Sequence, residues 1–265
     1  MIFICHVDPK RPDAVKQAEL CKRSFDWVKQ QGKFVTLVKG YDENQYAYYG
    51  LDKSYPVYNR HIAILNYIEK YKLFDQNIFV LDPDMFFMKP IIVDRLNSQD
   101  FYGTDWCLSN QKYLPLVKQK FKDVGYDVKY YSSFAAPYYS LGSNVCELSR
   151  LILKADKHTR DVLRNTSELW VSEMYTQSYM LSLLGLRFHK TPLSAYCVWD
   201  YNESQLSNLS IFHYPWEIQA KNGGRIKKWN VHDLVQMKNN INNFGEPVNP
   251  YSKIMIEFYR KAYLS

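Results

Sequence analysis

Glycine is scarce in this chain, with 10 residues in 265. None of them forms a G-x-G-x-x-G turn, and no G-x-x-x-x-G-K-[ST] loop occurs. A glycine-cradled dinucleotide or P-loop phosphate site is thereby disfavoured. The G-x-S-x-G elbow of a serine hydrolase is also missing. The five cysteines, Cys5, Cys21, Cys107, Cys146 and Cys197, are odd in number, far apart and without a C-x-x-C pair. A zinc ribbon or dithiol redox centre is not expected; reduced, mostly buried thiols are, as in a reducing compartment. No apolar run approaches 18 residues, so no membrane span is expected. The opening MIFICHVDPKRPD has neither the basic leader nor the apolar length of a signal peptide. The expected location is therefore the cytosol, including that of a host if the chain is viral or phage-encoded. The sequons at Asn165, Asn202 and Asn208 read as accidental.

What is present describes a globular chain. Apolar residues make up 46% and charged residues 23%, which suits one domain over residues 1–265. The formal charge of +7 favours an anionic partner. Aromatics reach 16%, including 23 tyrosines, flat side chains with a polar tip. A skew toward Lys, Asn and Ile offers base composition as an alternative origin for them.

Residues 2–7 (IFICHV) read as a strand, which DPKRPD breaks. From about Ala14 to Gln31 the positions Ala14, Ala18, Cys21, Phe25 and Val28 recur three or four apart, the spacing of one helical face. KFVTLVK (33–39) reads as a second strand. A polar, tyrosine-rich loop then leads to an amphipathic helix from Pro56 to Tyr71, and Ile78 to Leu81 is a third strand. This β-α-β-α-β order predicts an α/β fold with a mainly parallel sheet flanked by helices. Farther on, 100–108 and 134–146 read as sheet with loops, Leu148 to Arg164 and Trp170 to Leu184 as helices, and 231–239 as another helix before a tail from Pro250. LRFHKTPLSAYCVWD reads as strand and loop, LSIFHYPWE as a short strand, and KNGGRIKKWN as a basic glycine turn.

The third strand runs into Asp82-Pro83-Asp84. Unpaired charge at the end of a buried strand is costly, yet parallel sheets bind ligands beyond such ends. Two carboxylates two residues apart suit a hard divalent cation that completes its shell with phosphate oxygens. Asp and Pro equally favour a solvated turn. His213, after the apolar run of LSIFHYPWE, is a suitable third ligand for Mn2+ or a core histidine. In GGRIKKW, Arg225, Lys227 and Lys228 stand beside two glycines; they could neutralise a diphosphate or form a solvated loop. Together these features make a constellation for a metal-diphosphate.

The segments YPVYNRHIAILNYIEK, DPDMFFMKPI, LGSNV, LWVSEMYTQSYMLSLLGLRFH, VWD, IFHYPWE and GGRIKKW follow one another along the chain. This order resembles GT-A type glycosyltransferases, and among them the hydroxyproline O-arabinosyltransferases and peptidyl-serine galactosyltransferases, from about Tyr55 to Trp229. DNA-base glucosyltransferases are similar to the same broad group. The resemblance implies a GT-A-like single domain, with a nucleotide-sugar half at about 1–110 and an acceptor half at about 111–265. The donor would be a nucleoside-diphosphate sugar. Asp82, Asp84 and His213 would hold Mn2+ or Mg2+, and Lys227 or Lys228 would meet the diphosphate. Asn59 and Arg60, in the first turn of a helix, and Ser143 and Asn144, in a glycine loop, would contact the donor. Glu173 would orient the acceptor hydroxyl or act on its proton. Trp199 would stack and Asp200 would accept a hydrogen bond. Each has a plainer alternative: Arg60 an ion-pair partner of a loop carboxylate, Ser143-Asn144 a turn, Glu173 a helix N-terminal charge, Trp199 a core residue and Asp200 a turn residue.

The chain also departs from that family. The family often has E-P-D where Asp82-Pro83-Asp84 stands, which puts the weight on Asp84. Plant members have proline at the position of His61, Y-G-C-D at Pro215-Trp216-Glu217, and secretory anchors this chain lacks. The expected activity is metal-dependent transfer of a sugar to a hydroxyl. The related families retain anomeric configuration, which implies a same-face reaction without a strong general base. A basic chain without a secretory leader points to DNA as partner, with a hydroxymethylated pyrimidine as acceptor, flipped into a pocket beside aromatic rings. A peptide hydroxyl (hydroxyproline or serine) or a glycan is the alternative acceptor. A catalytically inactive nucleic-acid-binding module is the alternative of another class, against which the intact acidic pair and His213 stand.

Overall fold

The structure, a computed structural model, describes residues 1–93, 96–104, 111–191, 193–194, 201–213, 217–223, 225–227 and 244–264. Its strands are β1 (Ile2–Val7), β2 (Lys33–Val38), β3 (Asn77–Leu81), β4 (Met85–Phe87), β5 (Asp100–Thr104), β6 (Ala135–Leu141), β7 (Arg187–Lys190), β8 (Ile211–His213), β9 (Glu217–Gln219) and β10 (Arg225–Lys227). Its helices are α1 (Pro12–Trp27), α2 (Glu43–Tyr49), α3 (Tyr58–Tyr71), α4 (Leu114–Asp123), α5 (Gly142–Leu163), α6 (Ser172–Leu183), α7 (Glu203–Asn208) and α8 (Pro250–Leu264). The central sheet has the order β2-β1-β3-β6-β5-β7. β1 is parallel to both β2 and β3, and β5 is parallel to β7; β6 runs antiparallel to both of its neighbours. The fold is thus α/β, with the mainly parallel, helix-flanked sheet that the sequence predicts.

The central strands are near-continuous apolar runs because both faces are covered. Phe3, Ile4 and Cys5 of β1 and Ile78 to Leu81 of β3 are all fully buried. Phe3 lies between Phe79 and Phe25, at 4.7 and 5.2 Å between ring centroids. α1 opens with Pro12, whose missing N–H is no loss in a first turn. α3 turns Tyr58, Ile62, Leu65 and Ile68 into the core.

The chain departs from its expected elements at several points. Residues 142–146 are the start of α5, not sheet. β6 stops because Gly142 and Ser143 donate their N–H groups to Gln76 and Phe74 carbonyls at 2.9 Å. A Cβ on Gly142 would fall 2.1 Å from the Leu73 carbonyl oxygen, so the glycine serves close backbone approach. The tyrosine-rich loop contains α2, capped by Asp42, whose carboxylate accepts from the Gln45 N–H at 3.2 Å. Only Tyr46 of α2 is buried, so it carries no apolar period to read. α4, α7 and α8 were likewise not expected; the helix expected at 231–239 lies outside the described residues. Among the described residues no helix is long and apolar enough to cross a membrane.

β4 and β8 form a separate antiparallel ladder, with Met85 opposite His213, Phe86 opposite Phe212 and Phe87 opposite Ile211. Side chains alternate across it. Met85, Phe87 and Ile211 join the main core, while Phe86 and Phe212 join a second cluster under α7 and α8. Phe86 lies 4.2 Å from Phe258 between ring centroids. Phe86→Ala removes the contact that holds the ladder against α8. It should cost about 3–5 kcal/mol of stability, measured by urea denaturation.

Candidate metal centre

β1 and β3 are parallel neighbours, with Cys5 beside Leu81. From β1 the chain passes to β2 on one side, and β3 lies on the other. The carboxyl ends of β1 and β3 therefore flank a topological switch point, where open α/β sheets form a crevice. Asp82 leaves β3 into this crevice, and Asp84 precedes β4. The β4–β8 ladder then seats His213 opposite Met85. One ligand atom from each of Asp82, Asp84 and His213 lies within 4.8 Å of the others. His213 Nε2 is 3.3 Å from Asp84 Oδ1, and both side chains are buried.

A second layer of charge stands behind them. Arg60, in the first turn of α3, donates from Nη1 to Asp82 Oδ1 at 2.7 Å and from Nη2 to Glu173 Oε1. His61 Nε2 meets the same Glu173 oxygen at 2.7 Å. Burial opposes the charge of Glu173, but Arg60 and His61 outweigh it and hold the carboxyl down at about 2. Burial likewise works against the Arg60 guanidinium, and Glu173 with Asp82 reverses the balance, so it stays charged. Burial lowers His61 below the usual imidazole range despite Glu173. It is therefore neutral at neutral pH and donates its Nε2–H to Glu173. Arg60 Nε and His61 Nδ1 are buried without a hydrogen-bond partner among the described residues.

These residues fit a divalent cation. Three carboxylates, one guanidinium and a neutral His61 leave a formal −2, which one such ion balances. The donors at the front are oxygens and an imidazole nitrogen, the types hard or borderline cations take. The nearby Cys5 is no competitor. Burial, and then the fields of Asp82 and Asp84, raise its thiol well above the usual range. Cys5, Cys21 and Cys146 are free, buried thiols; Cys107 and Cys197 lie outside the described residues.

The other expected residues are dispersed. Asn59 is buried and accepts from the Tyr46 hydroxyl at 2.9 Å, tying α3 to α2. Ser143 and Asn144 are at the opposite end of the sheet from Asp82. β6 is antiparallel to β3, with Leu141 opposite Asn77, so the loop after β6 emerges at the amino end of β3. Asn144 Nδ2 there donates to Ser98 O at 2.9 Å and Ser140 Oγ at 2.8 Å. The structure therefore does not bring these two residues to the donor crevice; a parallel β6 would have. Lys227 ends β10, with its backbone opposite Glu217. Trp199, Asp200 and Lys228 lie outside the described residues. The sequence reading gave His61 no role. Its signal was adjacency to Arg60 in a first turn, which sends both side chains to one carboxylate.

Glu173 sits on a helix that is buried on every side. Its polar residues bond inside the protein: Gln177 donates to Phe134 O at 2.7 Å, and Thr176 to Asp156 at 2.6 Å. Glu173→Gln removes the charge opposite Arg60 and should cost about 3–5 kcal/mol at neutral pH. A depressed carboxylate contributes stability above its ordinary pKa of 4.5 and loses it as pH falls toward about 2. The gap between wild type and variant should therefore narrow from pH 5 downward, read by urea denaturation across pH.

No family model matches the chain, and no curated protein matches it. Among solved structures, it is similar to one described as the "crystal structure of a glycosyltransferase involved in the glycosylation of the major capsid of PBCV-1". The identity is 14%, over 80% of this chain and 92% of that chain, with a TM-score of 0.48.

Proposed function

We propose that this protein is a metal-dependent glycosyltransferase of GT-A type, moving a sugar from a nucleoside-diphosphate sugar to a hydroxyl. The observation that carries the reading is the convergence of Asp82, Asp84 and His213 at the switch point of an α/β sheet. A bound Mn2+ or Mg2+ would stabilise negative charge on a diphosphate leaving group. Asp84 and His213, buried at the end of the β4–β8 ladder, would be the fixed ligands. Asp82 is held through one oxygen by Arg60. Glu173 acts by position: it is buried, its Oε1 accepts from Arg60 and His61, and a carboxyl held at about 2 is a weak base. It orients Arg60, and through Arg60, Asp82. This favours a reaction that does not depend on a strong protein base.

The acceptor we favour is a hydroxymethylated pyrimidine in DNA. The +7 charge and the abundant tyrosines support it, as does the resemblance to a group that includes DNA-base glucosyltransferases. The assay supplies a panel of nucleotide-sugars and Mn2+ with either hydroxymethylated DNA or a hydroxyproline peptide, read by mass spectrometry. Mass should be added to DNA, and chelation should abolish transfer. Addition to peptide alone would overturn the acceptor. Asp84→Asn should lower metal-dependent donor hydrolysis at least ~100-fold, because the ion's contribution is several kcal/mol. Full activity in that variant would overturn the metal assignment.

A further inference from the structure

A second polar site lies away from the metal centre. Lys157 and Arg160 on α5 and Arg164 at its carboxyl cap are spaced three and four apart and share one face. Loop residues Gly50 to Ser54 stand opposite, and a cleft of about 370 Å³ separates the two, floored by Tyr58 and edged by Leu169. Arg160 is fixed on two sides. Its Nη2 donates to Asp52 Oδ2 at 2.8 Å, and its guanidinium lies 4.3 Å from the centroid of the Tyr55 ring. Its remaining N–H groups make no hydrogen bond among the described residues, and Lys157 has no ion-pair partner among them. Asp52 and Asp161 offset two of the three cations in the cleft, which leaves +1. Tyr55, buried behind Arg160, donates from its hydroxyl to the Trp170 backbone carbonyl at 3.0 Å, and Trp170 is 59% exposed.

A guanidinium held in one plane is a fork for phosphate oxygens. A residual charge of +1 matches a phosphodiester, which carries one negative charge, better than a phosphomonoester with nearly two. Trp170 follows Leu169, which lines the cleft, and its exposed indole is a surface on which a base can stack. We infer that this cleft binds single-stranded nucleic acid, with a phosphodiester on Arg160 and Lys157 and a neighbouring base on Trp170. Trp170 stands three residues before Glu173, whose carboxylate meets Arg60 behind Asp82. The inference deepens the acceptor side of the proposed function, but the binding stands independently of transfer.

The test is fluorescence anisotropy with a labelled single-stranded oligodeoxynucleotide, in EDTA and without nucleotide-sugar, so that a missing transferase activity cannot alter it. Wild type should bind, with a salt slope that falls by about 0.7 for each phosphate contact removed. The double variant Lys157→Glu/Arg164→Glu should bind at least ~10-fold more weakly, given repulsion in place of two attractions. Trp170→Ala should bind about 5- to 100-fold more weakly with an unchanged salt slope. All three side chains are exposed, so folding is retained, and the double variant should keep wild-type donor hydrolysis measured without DNA. Wild-type affinity in both variants, no binding by wild type, or preference for a phosphoserine peptide would each overturn the inference.

Discussion

The guanidinium of Arg60, shared between Asp82 and Glu173, is the interaction on which the site depends. Half-burying Asp82 at the end of β3 and fully burying Glu173 are expensive unless an opposite charge is buried with them in good geometry. Arg60 supplies that charge from the first turn of α3, and Glu173 returns the balance from the first turn of α6. Each of these helices is thereby fixed at its amino end toward the same crevice. For α6 the constraint matters more, because it is buried all round and has no apolar face to set its rotation. Polar contacts set it instead. Glu173 points to Arg60 and His61, while Ser172 and Thr176 point to Asp156, which also accepts from Tyr58 of α3 at 2.8 Å. Burial raises the Asp156 carboxyl to about 6 even with those hydroxyls around it, so the helices meet through hydroxyl contacts on one side and full charge on the other.

A second constraint brings His213 to the crevice. It comes from the β4–β8 ladder, whose two faces belong to different cores. The main core anchors Met85 and Phe87; the cluster beneath α8 anchors Phe86 and Phe212. The ladder is short, and its position is set by packing on both sides. Distance in sequence between Asp84 and His213 is thus bridged by hydrophobic burial, while the ligand atoms emerge at the ladder's end.

The parts legible in the sequence were those with a local signature. The strands β1, β2 and β3 and the helices α1 and α3 carry continuous or periodic apolar runs, and their order alone placed Asp82 and Asp84 at a carboxyl end. His213 was legible by its residue type and its strand. The reversal of β6 was not, because the polarity of a strand in a sheet leaves no mark on its own apolar pattern. That hidden reversal carries Ser143 and Asn144 to the far end of the sheet. Gly142 was legible as a special position but ambiguous in kind: close approach to Leu73 and a flexible sugar-binding loop call for the same residue. His61 was hidden because its partner, Glu173, is distant in sequence and sits on a helix with no amphipathic signal to orient it.

The two carboxylates of Asp82-Pro83-Asp84 are not equivalent, and the reason is the placement of permanent positive charge. Asp82 faces a guanidinium, which cannot lose its proton in any ordinary range. Asp84 faces an imidazole, which is cationic only when protonated. On the proposed metal-dependent reading, a divalent ion would therefore gain most where Asp84 and His213 meet, since both could give it lone pairs without breaking a bond to Arg60. Asp82 could join while keeping one oxygen on Arg60. The formal −2 of the whole cluster is thus concentrated at its front, toward the crevice, by a cation held at its back.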